Sequence, residues 1–159
     1  MTKFELFLKN AELLNNGFEI LPLLYGSLGL EVLTNSSLNA DDIDILIPQV
    51  FVTGNRWAEF KDFLKNNGYT LVDEHEHTFV KNGVEYSYAA IEGLKGFAGI
   101  DINCLEIRVE SKAKFMLLSL EQYLRVYEKS ALDGYRMNVK EKQDKQKIEL
   151  IQDIISLTK

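Results

Sequence analysis

The stretch Ala40-Asp41-Asp42-Ile43-Asp44-Ile45-Leu46-Ile47-Pro48 decides how the chain is read. Successive side chains of a β-strand point to opposite faces, so Asp42 and Asp44 share one side while Ile43, Ile45 and Ile47 share the other. The isoleucine side belongs in a core. The other side sets two like charges next to each other on a strand that otherwise favours burial, which is costly unless a cation sits between them. A hard divalent ion that takes carboxylate oxygens, Mg²⁺ or Mn²⁺, meets that need. Upstream, Ile20 to Tyr25 reads as a buried strand ending at Gly26-Ser27. Leu28 to Leu33 then begin a helix, and Thr34 to Asn39 form a polar loop.

Further outward the periodicity alternates between helix and strand. Phe4, Phe7, Leu8, Ala11 and Leu14 predict a helix over residues 3–15, with Asn15-Asn16-Gly17 as its stop. Trp57, Phe60, Phe63 and Leu64 predict another over 56–66. Residues 69–81 alternate as a strand, and Lys81-Asn82-Gly83-Val84 is a strong hairpin signal because Asn-Gly suits a type I′ turn. A two-residue turn sets Lys81 opposite Val84, Val80 opposite Glu85, Phe79 opposite Tyr86, Thr78 opposite Ser87 and His77 opposite Tyr88. Phe79, Tyr86, Tyr88 and His77 then share the core face, with Glu76, Thr78, Val80, Glu85 and Ser87 on the other.

Residues 99–109 read as a further strand, with Cys104 half-buried in it. Ser119-Leu120-Glu121-Gln122 opens a helix running to about Lys129, Asp133-Gly134 breaks it, and a last helix spans about 138–157. No repeat, low-complexity tract or linker interrupts the chain. The expectation is one globular unit over 1–159, with a core over about 1–110 and a helical C-terminal segment over about 111–159. Its class is α/β (α+β): a small mixed sheet with helices on one face, an acidic site on the other, and C-terminal helices.

A chain of 159 residues that is 46% hydrophobic can bury one substantial core. No run approaches the roughly 18 apolar residues that span a bilayer, and Met1-Thr2-Lys3-Phe4-Glu5 is too mixed for a secretory signal, so the expectation is a cytoplasmic protein without a membrane partner. A lone cysteine forms no internal disulfide. A net charge of −6 argues against a broad basic surface for nucleic acid, whose affinity comes largely from phosphate neutralisation.

Strand, Gly-Ser, helix, then a strand carrying Asp-Ile-Asp: this order resembles the nucleotidyltransferase superfamily with the DNA polymerase beta-like fold, and within it the small bacterial lincosamide and aminoglycoside nucleotidyltransferases. Leu24-Tyr25-Gly26-Ser27 and Asp42-Ile43-Asp44-Ile45 carry the resemblance. It implies a Mg²⁺- or Mn²⁺-dependent enzyme that moves a nucleoside monophosphate from a nucleoside triphosphate such as ATP to a hydroxyl of a small-molecule acceptor. Asp42 and Asp44 would be catalytic metal ligands. Gly26 and Ser27 would hold phosphate, since glycine admits close backbone approach and a helix start offers donors. The resemblance also implies a third carboxylate on a neighbouring strand, as metal ligand or general base. Glu85 is the candidate, with Asp101 as its rival. For the cation that meets the triphosphate it points to Lys129, with Arg136 and Lys140 behind it.

His75 and His77, sharing a strand face, are too few for a zinc site without further histidines or thiols. Tyr86, Tyr88, Tyr123, Tyr127 and Tyr135 could stack on a ring, but aromatics at such spacings are usually core. Lys140 to Lys147 reads as the exposed side of the terminal helix. Two alternatives stand beside the small-molecule enzyme: a nucleotide binder without turnover, such as an antitoxin-like protein of the same fold, and an enzyme with an RNA or protein acceptor.

Overall fold

The structure, a computed structural model, describes residues 1–132 and 139–158, with side chains described for 1–131 and 144–157. Seven strands form one mixed sheet: β1 (Leu23–Tyr25), β2 (Ile43–Ile47), β3 (Thr70–Asp73), β4 (Thr78–Lys81), β5 (Val84–Ala90), β6 (Glu106–Glu110) and β7 (Ala113–Leu117). Their spatial order is β3-β4-β5-β2-β1-β7-β6. The pairs β1–β7 and β2–β5 are parallel, and β1–β2, β3–β4, β4–β5 and β6–β7 are antiparallel. Helices α1 (Lys3–Phe18), α2 (Gly26–Thr34), α3 (Trp57–Asn66), α4 (Gly93–Ala98), α5 (Leu120–Leu132) and α6 (Val139–Thr158) pack around it.

Two apolar layers follow from strand alternation. Ile43, Ile45 and Ile47 join Phe79, Tyr86 and Tyr88 under α1 and α3, where Phe7, Leu14, Phe60 and Leu64 fill the layer. Leu23, Leu46 and Met116 face the other way and meet Leu94 of α4, Tyr123 and Val126 of α5 and Ile151 of α6. Asp44 lies on this second side, at the border of what the C-terminal helices cover. The mixed α/β class is as expected, and the C-terminal helices close over part of the acidic face. Among the described residues no helix is long and apolar enough to cross a membrane.

The β4–β5 hairpin has the register read from Asn82-Gly83: Lys81 pairs with Val84, Val80 with Glu85, Phe79 with Tyr86 and Thr78 with Ser87. The strand ends there, because residues 74–77 form the turn between β3 and β4 and His77 takes φ 52°, although the Tyr88 amide still donates to His77 O at 3.2 Å, so the two remain opposite each other. His75 and His77 therefore share no strand face. His77 instead sits edge-on to Trp57, with ring centroids 4.7 Å apart.

Other boundaries move for identifiable reasons. Helix α1 runs past Asn15-Asn16-Gly17 to Phe18 and ends at Glu19 in the left-handed region. Asn15 docks the helix on β7, its Nδ2 donating to Ile20 O and Lys114 O while Oδ1 accepts from Lys114 N. Gly17 makes room for Phe63, since a Cβ there would overlap that ring. The strand expected over 99–109 is only β6. Asp101 instead caps a short 3₁₀ turn over Ile102–Cys104, accepting from Asn103 N, and Cys104 is exposed. The segment expected to be helical from 111 contains β7, a strand between β1 and β6, and its helices begin at Leu120.

Candidate functional site

The chain reverses at Gly26. Strand β1 ends at Tyr25, whose antiparallel partner is Asp44, and Gly26 takes φ +67° to start α2 at once. The Asp44 carboxyl lies against the Gly26 backbone, and a Cβ on residue 26 would overlap its Oδ2. The Tyr25 side chain makes no capping bond to α2. The first amides of the helix, around Gly26 and Ser27, thus take no cap from the residue before them and lie beside a carboxylate.

Burial first, and the neighbouring Asp42 second, push the Asp44 carboxyl up to about 6, against a smaller downward pull from Lys147. Asp42 itself lies one residue before β2 and is exposed. Two cavities meet at this place. One, of about 470 Å³, is lined by Gly26, Ser27, Asp44, Ser87, Tyr127 and Lys147 among others. The second, of about 790 Å³, contains Asp41, Asp42, Asp44, Ser27 and Lys147. Ser27, Asp44 and Lys147 belong to both and form the partition between them.

The expected residues are distributed unevenly over this geometry. Gly26, Ser27, Asp42 and Asp44 are together. Glu85 lies on β5, the strand beside β2, one residue before Tyr86, the partner of Ile43, and so level with Asp42. It is exposed and lines neither cavity; Ser87, the partner of Asp44, lines the first. Among the described residues no three His, Cys, Asp or Glu side chains converge as a metal-binding group. Asp101 is spent on its 3₁₀ cap.

Lys129 is exposed on α5 and lines neither cavity. Arg136 and Tyr135 lie outside the described residues, as does the side chain of Lys140. Among the described residues, the cation that reaches the site is Lys147, from the stretch read as a solvated helix side. Its Nζ stands 5.0 Å from the Tyr127 ring centroid. A signal for it existed in the sequence: stepping back from Ile155, Ile151 and Ile148 by three and four residues along α6 arrives at Lys147 and Asp144. Asp144 is fully buried on that stripe.

Helix α5 closes the first cavity. Tyr123 donates its hydroxyl to Leu24 O at 3.1 Å, which brings the helix onto the end of β1. Gly29 of α2 makes this possible, because a Cβ there would collide with that hydroxyl. Tyr127 lies one turn on, stacked on Tyr123 at 6.2 Å, and burial raises its phenol above the ordinary range.

No protein-family model matches the chain. Among solved structures, the fold is similar to that of the antibiotic-resistance factor ANT(2'')-Ia, an aminoglycoside nucleotidyltransferase, with a TM-score of 0.54 at 12% identity over 99% of this chain and 94% of that one. The mixed sheet and its helices are thus nucleotidyltransferase-like in architecture. In sequence the chain is 41% identical over 155 residues to a protein of Bacillus subtilis (strain 168) named Uncharacterized protein YnaI, covering 98% of this chain and 99% of that one. At that identity and coverage, the chain belongs to the same family as YnaI.

Proposed function

We propose that the protein is a metal-dependent nucleotidyltransferase that moves a nucleoside monophosphate from a nucleoside triphosphate to a hydroxyl of a small-molecule acceptor. The observation that carries this reading is the contact of Asp44 with Gly26, which sets an acidic pair against a helix start that takes no cap from the residue before it. The nucleotidyltransferase-like fold supports it.

The donor set suits a hard divalent cation. Asp42 and Asp44 offer only carboxylate oxygens, and the raised Asp44 carboxyl marks negative charge without sufficient compensation. Bound there, Mg²⁺ or Mn²⁺ would neutralise charge on phosphate oxygens. The chain's own groups do the rest. The amides at Gly26 and Ser27 bind phosphate, and Lys147 balances triphosphate charge from across the cavity. The acceptor oxygen attacks the α-phosphorus in line, the bond to the bridging oxygen breaks, and pyrophosphate leaves. Glu85, at the level of Asp42 on the adjacent strand, is the carboxylate assigned to receive the acceptor's proton.

The exposed position of Glu85 also favours a second reading, a nucleotide binder of the same fold without turnover. Incubation with each labelled nucleoside triphosphate and a panel of hydroxyl-bearing compounds separates the two. The enzyme reading expects pyrophosphate release that depends on Mg²⁺ or Mn²⁺ and falls by about 10²-fold or more in Glu85→Gln, with triphosphate affinity retained. Triphosphate binding with no pyrophosphate released under any condition assigns the protein to the second reading.

A further inference from the structure

Tyr127 is 5% exposed, and its hydroxyl is buried with no hydrogen-bond partner among the described residues. A buried phenol is normally paired, so an orphan of this kind asks for an explanation. Its surroundings supply one. Tyr127 lines the cavity at the α2 start beside Ser27, whose hydroxyl lies near enough for a side-chain hydrogen bond to draw the phenol slightly down, although the contact falls short of full hydrogen-bond geometry. Burial and the nearby Tyr25, Asp144 and Asp44 all favour the protonated phenol, which is the form that donates. Lys147 lies over its ring, on the side where both cavities meet.

A hydroxyl that is inaccessible to solvent cannot itself take up an anion, but it can act through the group beside it. Ser27 has one proton and two lone pairs. If Tyr127 donates to Ser27 Oγ, the serine proton is left to point outward at the start of α2, towards the place where the helix amides also point.

We propose that Tyr127 is a positioning residue for polyphosphate: its phenol donates to Ser27 Oγ when an anion binds, and the serine hydroxyl donates in turn to a phosphate oxygen. The inference rests on the reading of the Gly26-Ser27 turn as a phosphate site and deepens it. It assigns a role to a residue of α5 that no local motif connects with that turn. Lys147 acts on the same unit. Its charge is held over the Tyr127 ring, which fixes the tyrosine and keeps a cation at the mouth of the site. The orphan is then a cost of the ligand-free state that binding relieves.

Titration of inorganic tripolyphosphate with Mg²⁺ into wild type, Ser27→Ala, Tyr127→Phe and the double variant tests this without depending on turnover. Tyr127→Phe keeps the ring, its packing and the lysine contact, and removes only the hydroxyl. The expected result is a loss of about tenfold in affinity for Ser27→Ala and for Tyr127→Phe, with no further loss from Tyr127→Phe in the Ser27→Ala background. In the same samples the ligand-free Tyr127→Phe protein should melt as high as wild type, or a few degrees higher, because an unpaired buried hydroxyl has been removed. Wild-type affinity in Tyr127→Phe, or losses that add in the double variant, overturns the proposal. So does a lower melting temperature in Tyr127→Phe, which would mean a bond already made in the ligand-free protein. If wild type binds no tripolyphosphate the proposal also fails, and the nucleotidyltransferase reading is decided separately by pyrophosphate release.

Discussion

Asp44→Asn is expected to melt higher than wild type in the absence of ligand, to abolish the stabilisation conferred by nucleoside triphosphate with Mg²⁺ or Mn²⁺, and to reduce nucleotidyl transfer by at least about 10³-fold. The gain and the losses have one origin. The Asp44 carboxyl stands at about 6 in the folded protein against an ordinary value of 3.8, chiefly because it is buried and secondarily because Asp42 is near. A raised carboxyl binds its proton more tightly folded than unfolded. Its contribution to stability is therefore present below the unfolded value and is lost as pH rises through about 6. At neutral pH the ionised side chain opposes folding by on the order of 2–3 kcal/mol, taking about 1.4 kcal/mol per pH unit of displacement.

Asparagine has nearly the same shape and no charge, so it keeps the contact with Gly26 and removes the opposing term. On the proposed reading, a cation between Asp42 and Asp44 would remove it in wild type by a different route. Ligand-induced stabilisation, about 2.7 kcal/mol at a hundredfold excess over Kd, should accordingly vanish in the variant. Melting curves at pH 5 and pH 7.5 check the sign. Without ligand, the wild-type advantage of the acidic pH should shrink in Asp44→Asn. If the variant melts lower than wild type at pH 7.5, the carboxylate is already compensated and the site does not await a cation.

How far these residues are legible in the sequence depends on whether local pattern or distant packing places them. Thr78 to Ala90 are local: Asn82-Gly83 dictates the turn, and alternation on both sides then determines every pair through Thr78 and Ser87. The Asp42–Asp44 stretch is local too, since an isoleucine at every second position leaves the acids no other face. Beta-7 fails the local test. Ala113 to Leu117 is a short apolar run equally suited to a helix, and the turn before it uses Ser111 at φ 53° where a glycine or asparagine would have announced a hairpin.

Lys147 and Tyr127 depend on packing. Lys129 and Lys147 look alike in a window of sequence, and only the docking of α5 and α6 against the second face of the sheet turns one outward and the other towards Asp44. Tyr123 does the docking for α5 through its bond to Leu24 O. The groove it needs is prepared by Gly29, a residue 94 positions earlier with no sequence pattern linking the two. The proximity of Gly26 to Asp44 is intermediate: motif order suggests it, but the antiparallel register of Tyr25 with Asp44 creates it.

That register makes Gly26→Ala the substitution with the largest expected cost for the fewest atoms. Two terms contribute. At φ +67° an L side chain pays about 1–2 kcal/mol that glycine does not. The added methyl also overlaps Asp44 Oδ2 and comes within 3.2 Å of its Cγ and 3.3 Å of its Cβ, contacts that force the carboxyl or the turn to move, at about 1–3 kcal/mol. The sum, roughly 2–5 kcal/mol, predicts a much lower denaturant midpoint with an unchanged slope. A double-mutant cycle separates the terms. In an Asp44→Ala background the obstructing carboxyl is gone, so Gly26→Ala should retain only the backbone part, and the two substitutions should fail to add by about 1–3 kcal/mol. Tripolyphosphate affinity should fall in both backgrounds, because the methyl stands where the backbone must approach an anion. Additive stability losses would mean that Asp44 does not rest on Gly26, and the pairing of acid and turn on which the proposed chemistry depends would be lost with it.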